Sequence, residues 1–168
     1  ITALDSAGKK AIYDLYVDTT ANVMYAGGAF TSPGIYVAKT SNGVNWTSAG
    51  AGMSAGTQPF PAVYAITKFK NQIYVGGTFN PTGMKYISKL NAGFWSSVHA
   101  LEPSNSVKSL MVYKDTMYVG GNFSYLWTGV GTKYYYIGVA KWSGNDWSPM
   151  DYGQGPLQVE DLQYYNGK

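Results

Sequence analysis

Few side chains in this 168-residue chain are equipped for acid–base or nucleophilic chemistry. Its one histidine, His99, stands beside Val98 and near Leu101 in a strand-like run, a setting that suits a structural or surface residue. The nine acids are scattered: Asp5, Asp14, Asp18, Glu102, Asp115, Asp146, Asp151, Glu160 and Asp161. Asp18 and Asp115 fall in turns, where a carboxylate satisfies local backbone donors. The only adjacent pair, Glu160-Asp161, projects to opposite faces of a strand, which suits neither a carboxylate dyad nor a metal site. No oxygen-rich calcium-loop spacing is present. Cysteine is absent, which excludes a disulfide framework, a thiolate metal site and a thiol nucleophile. The expectation is a non-enzymatic chain with no catalytic residues, no metal and no cofactor.

Charge narrows the partners. Charged residues make up 12% of the chain, and the net charge of +3 comes from lysine, with no arginine. Arginine dominates base and phosphate contacts, so no nucleic-acid partner is expected. The longest basic run is Lys9-Lys10, too short for a polybasic membrane patch. No stretch approaches the roughly 18 apolar residues of a spanning helix, so no membrane insertion is expected. Lys39, Lys89 and Lys141 recur in one register. A ring of such lysines would attract an anion, whereas copied lysine stems covering apolar surface account for the same recurrence.

Recognition is the chemistry this composition favours, because aromatic residues reach 16%. They concentrate in Ser124 to Gly138, which holds Tyr125, Trp127, Lys133, Tyr134, Tyr135 and Tyr136 as candidate binding residues. Clustered Tyr and Trp on a loop make a recognition surface for a protein or a glycan. The same rings would equally serve as a cap on a neighbouring unit. Two sequons, Asn45-Trp46-Thr47 and Asn122-Phe123-Ser124, make Asn45 and Asn122 glycosylation candidates in a secretory pathway.

The elements that position these residues belong to an internal repeat. MYAGGAF (Met24–Phe30), IYVGGTF (Ile73–Phe79) and MYVGGNF (Met117–Phe123) are copies of one motif. A Tyr and a small or β-branched residue followed by two glycines describes a strand running into a place closed to side chains. A phosphate-binding loop needs a longer glycine spacing, a Lys-Ser or Lys-Thr pair and a following helix, and these are missing. Alternating strands precede each motif at Ile12–Asp18, Val63–Lys70 and Val107–Lys114, and one more is expected at Val159–Tyr165. Lys70-Asn71 and Lys114-Asp115 read as two-residue hairpin loops. A third strand ends at Lys39, Lys89 or Lys141, and a fourth starts at Trp46, Trp95 or Trp147. These tryptophans are spaced 49 and 52 residues apart.

Four short strands with tight hairpins, repeating every 40 to 50 residues or so, predict an all-β chain of β-propeller blades. The units run over 12–62, 63–106 and 107–158, with partial units at 1–11 and 159–168. Three and a fraction blades do not close a ring, so the remaining blades are expected from the rest of a longer polypeptide or from other chains. The YVGG strand, the Ala-Lys strand and the Gly and Trp that follow resemble the secreted and cell-surface propeller repeats related to fungal cortical-marker proteins. More loosely they are similar to kelch repeats. That resemblance implies an extracellular or cell-surface location and a role in adhesion, scaffolding or assembly; carbohydrate binding, or a piece of a glycan-active enzyme, are the alternatives. Ser41-Asn42-Gly43-Val44-Asn45-Trp46 resembles the Asp-box turn of sialidase-type propellers, with Ser41 in the place of the aspartate. A sialidase arginine cluster is excluded by composition, as is the Cys and His ligand set of the copper-radical oxidases.

The expected core is Leu15, Val17, Tyr25, Phe30, Trp46, Ile66, Tyr74, Phe79, Trp95, Leu110, Tyr118, Phe123 and Trp147. In the third unit fifteen residues separate the motif's Phe from the third strand, against six and seven in the other two. A second insertion, Gly50 to Pro61, reads as plain linker.

Overall fold

Each repeat folds into a four-stranded antiparallel meander. The computed structural model describes residues 11–54, 56–81, 84–98, 102–127, 133–135, 137–150 and 158–165, with the backbone alone at Trp127 and Lys133. In chain order the strands are β1 (Ile12–Asp18), β2 (Val23–Gly28), β3 (Val37–Thr40), β4 (Thr47–Ser48), β5 (Val63–Phe69), β6 (Gln72–Gly77), β7 (Ile87–Asn91) and β8 (Phe94–Ser96). They continue with β9 (Glu102–Pro103), β10 (Val107–Tyr113), β11 (Thr116–Gly121), β12 (Tyr125–Trp127), β13 (Lys133–Tyr135), β14 (Val139–Trp142) and β15 (Trp147–Pro149). Three sheets have the orders β1-β2-β3-β4, β5-β6-β7-β8 and β10-β11-β14-β15, and a three-stranded sheet has the order β13-β12-β9. No helix occurs among the described residues. The β5–β6 hairpin turns through Lys70 and Asn71, both with positive φ (46° and 61°), as the twist of a two-residue loop requires.

The first strand of each four-stranded sheet carries a β-bulge at its second residue, namely Tyr13, Tyr64 or Lys108. In a regular strand residues three apart point to opposite faces. The extra residue undoes that alternation. Val63 and Ile66 therefore share a face, and they pack together on Gly27 of the preceding sheet. A Cβ placed on Gly27 would lie 2.6 Å from Val63 Cγ1 and 3.0 Å from Ile66 Cδ1. Val107 and Leu110 meet Gly76 in the same way, and Val159 and Leu162 meet Gly120. The second glycine of each pair answers to a different constraint. A Cβ on Gly28, Gly77 or Gly121 would strike the carbonyl oxygen of Ala11, Ala62 or Ser106 on the adjoining strand.

Two apolar clusters fill the seams. One unites Tyr25, Val37, Val63, Ile66, Val75, Phe79 and Trp95 from the first and second sheets. The other unites Phe69, Tyr74, Val107, Val119, Phe123, Trp142 and Trp147 from the second and third. Polar ties reinforce the first seam and the junction of the third sheet with residues 158–165. Asp14 accepts the Ile66 N–H at 2.6 Å, and at the equivalent place Ser109 Oγ accepts the Leu162 N–H at 3.0 Å. Asp18 takes the Lys68 ammonium at 2.8 Å while accepting the Thr20 and Ala21 N–H groups.

Several expectations need correction. Leu15 and Val17 are not core residues; they are 55% and 56% exposed. They occupy the face of β1 that corresponds to the glycine-seated face of β5 and β10, and no described sheet precedes β1. Trp46, Leu110 and Tyr118 are half-buried. Trp95 and Trp147 pair within β8 and β15, whereas Trp46 stands ahead of the two-residue β4. Residues 158–165 form no strand, having no pairing partner among the described residues, although Val159 and Leu162 take their expected seats. Gly50 to Pro61 is not plain linker. Ala51 donates its N–H to Gly93 and accepts that of Trp95, at 2.9 and 2.8 Å, which covers the outer edge of the second sheet. Met53 is buried there as well.

Substituting Gly77 or Gly121 by Val forces a side chain into backbone. Each change is expected to cost about 1–3 kcal/mol or more, read as a lower denaturant midpoint. Asp18 supplies a second test. Its hydrogen bond from Lys68, first among its stabilising contacts, holds the carboxyl at about 2, below its usual 3.8. A depressed acid adds stability above its unfolded pKa and loses it as pH falls through the folded value. Stability is therefore expected to drop between about pH 4 and pH 2, and Asp18→Asn to flatten that part of the pH profile.

Candidate functional site

The fifteen-residue insertion is built as a hairpin rather than a loose loop. Tyr125, Leu126 and Trp127 of β12 pair with Tyr135, Tyr134 and Lys133 of β13. On its other edge β12 pairs with β9, Leu126 opposite Pro103 and Trp127 opposite Glu102. Alternation along β12 sends Leu126 inward, where it is fully buried within the seam between the second and third sheets. Ser104 fastens the base: its Oγ accepts the Ser124 N–H at 3.1 Å and its N–H donates to the Tyr125 carbonyl at 2.9 Å. Glu102 joins the assembly to the second sheet through the Lys85 ammonium at 3.3 Å and the Lys85 N–H.

That anchoring leaves tyrosines exposed on both faces of the hairpin, Tyr135 with Tyr125 on one and Tyr134 with Leu126 on the other. Tyr135 is 73% exposed and Tyr134 46% exposed. The Tyr125 and Tyr135 rings meet edge to face with centroids 6.1 Å apart. Trp127 and Lys133 lie on the same hairpin by backbone position, while Tyr136 and His99 fall outside the described residues. The structure thus brings Tyr125, Tyr134 and Tyr135 onto one rigid element. Lys39, Lys89 and Lys141 stand cross-strand from Tyr25, Tyr74 and Tyr118 in three separate sheets, in the shared register expected of them.

The two sequons differ in setting. Asn45 is exposed in the turn before β4. Asn122 has its side-chain oxygen buried and without a hydrogen-bond partner among the described residues. In the turn that resembles an Asp box, Ser41 does not do the work of the aspartate. Thr40 Oγ1 accepts the Gly43 N–H at 3.1 Å, and Asn42 Oδ1 accepts those of Val44 and Asn45 at 3.0 and 2.9 Å.

A second group of side chains escaped the sequence reading. The bulge residues come into line along successive first strands. Tyr13 meets Tyr64 edge on at 5.0 Å, Lys108 Nζ lies 4.4 Å from the Tyr64 ring centre, and Lys108 contacts Glu160 at 3.8 Å. The signal available in the sequence was an apolar pair three residues apart, Val63 with Ile66 and Val107 with Leu110. That spacing fits one face of a strand only if a bulge intervenes.

The hairpin's fixity can be measured. Leu126→Ala should cost about 2–5 kcal/mol and raise amide exchange in β12 and β13, since the only fully buried side chain described in that hairpin is lost.

No family model, curated protein or solved structure matches this chain, so the functional reading rests on its own geometry.

Proposed function

We propose that the chain is part of a β-propeller and works as a non-catalytic scaffold at the cell surface or outside the cell, with the aromatic hairpin as its protein-binding element. The observation that carries this reading is Tyr135, 73% exposed and set against Tyr125 on the face of the hairpin opposite the buried Leu126, with Tyr134 exposed at the other face. Rigid aromatic rings give contact area at low entropic cost and supply a large share of interface energy. The disposition of the acids supports the same reading. Asp14, Asp18 and Glu102 are each engaged in a tie between sheets or their connections, with an N–H or a lysine as partner. The propeller assignment draws on the repeated seam, in which the second and third meanders, and then Val159 with Leu162, seat on the glycine of the meander before.

The test is a comparison of the chain with its Tyr134→Ala, Tyr135→Ala double variant for binding to extracellular-matrix and cell-surface protein arrays. Each true anchor should contribute roughly 1–3 kcal/mol, with the thermal midpoint unchanged. Binding equal to that of the parent chain, or unfolding of the double variant, would overturn the assignment of this hairpin.

A further inference from the structure

A second site lies at the seam of the first and second sheets. Tyr36 and Tyr86 are equivalent residues. Each has positive φ (62° and 63°) and each accepts, at its carbonyl, the N–H of the second glycine, Gly28 or Gly77. Their hydroxyls fare differently. Tyr86 Oη receives a hydrogen bond from Gln58 Nε2 at 3.2 Å. Tyr36, only 6% exposed, has no such partner for its hydroxyl among the described residues, and it lines a cleft of ≈ 700 Å³ at the seam of the first and second sheets. That volume lies within the range of small-molecule sites.

The walls of the cleft are flat and aromatic. Tyr13 and Tyr64 form one side, their rings locked edge to face, with Lys108 holding Tyr64 from beyond the cleft. Phe60, 80% exposed, stands over another part of the rim, and Thr31 adds a hydroxyl. No charged side chain is among the described lining residues. Burial pushes the Tyr36 phenol above its usual range, so it keeps its proton and stays a donor across the neutral region.

We propose that this cleft binds a neutral saccharide, one ring lying on the Phe60 and Tyr13 faces and one hydroxyl paired with Tyr36. Three features select that chemistry. The described lining residues carry no charge and so offer an ionic ligand no compensation for its desolvation. Exposed aromatic faces match the C–H face of a pyranose and offer apolar contact with a polar rim. The hydroxyls of Tyr36 and Thr31 supply directional donors and acceptors of the kind that fix a ligand's orientation in such a pocket. A purely apolar ligand would leave the Tyr36 hydroxyl desolvated and unpaired. The site is separate from the hairpin and does not depend on the function proposed for it.

Titration calorimetry of the whole chain with neutral hexasaccharides (cellohexaose, maltohexaose, laminarihexaose and xylohexaose) tests the site. At least one should bind. Tyr36→Phe, which removes one oxygen, and Phe60→Ala, at an exposed position, should each weaken that binding by about tenfold without shifting the thermal midpoint. Tyr135→Ala on the hairpin should leave it unchanged. Failure of all four sugars to bind at millimolar concentration, or equal affinity in the Tyr36→Phe and Phe60→Ala variants, would overturn the proposal. Loss confined to Tyr135→Ala would also do so, by placing the sugar on the hairpin instead.

Discussion

The architecture depends on a contact between a branched aliphatic pair and a bare backbone. Val63 with Ile66, Val107 with Leu110, and Val159 with Leu162 sit where a glycine of the preceding sheet lacks a side chain. Dense packing at such a contact leaves no room for a methyl group. The bulge that makes the contact possible has a second effect. It turns Tyr13, Tyr64 and Lys108 away from the seam and strings them along its margin. One backbone irregularity therefore builds both the hydrophobic seam and an aromatic border.

Polar groups follow the same economy. Asp14 accepts the Ile66 N–H of the next sheet, Ser109 accepts the Leu162 N–H of the segment that follows the third sheet, and Asp18 bridges to Lys68 across the first seam. Asp14 is raised from its ordinary value, chiefly by burial and in spite of its backbone hydrogen bonds, whereas Asp18 is lowered by its lysine and its turn donors. Two carboxylates four residues apart on one strand thus serve the same seam under opposite electrostatic conditions. Their lone pairs are spent on backbone and lysine donors that hold adjacent sheets in register.

Where the units differ, exposed aromatic surface appears. The third unit lengthens its connection into a hairpin that buries Leu126 and presents tyrosines. In the second unit Gln58 caps Tyr86, whereas no described side chain caps Tyr36. A repeated scaffold lets connections vary while the seams stay satisfied, which is why loops on rigid frames carry recognition so often.

Much of the fold was legible in the residues alone. The glycine pairs, the alternating strands, the Lys70-Asn71 hairpin turn and the meander order all follow from local rules of strand and turn chemistry, since neighbouring residues set them. The aromatic insertion was also visible as a departure from the copied pattern, though not its pairing with β9. Burial was decided elsewhere. Leu15 has the same type and strand position as Ile66 and Leu110, yet it is exposed because no described sheet lies against it. Gly50 to Pro61 looks like linker until its backbone meets Gly93 and Trp95. The bulges, the line of Tyr13, Tyr64 and Lys108, and the open hydroxyl of Tyr36 arise only when sheets stack. Each depends on what a distant segment places opposite it, and a periodicity read along one strand does not contain that information.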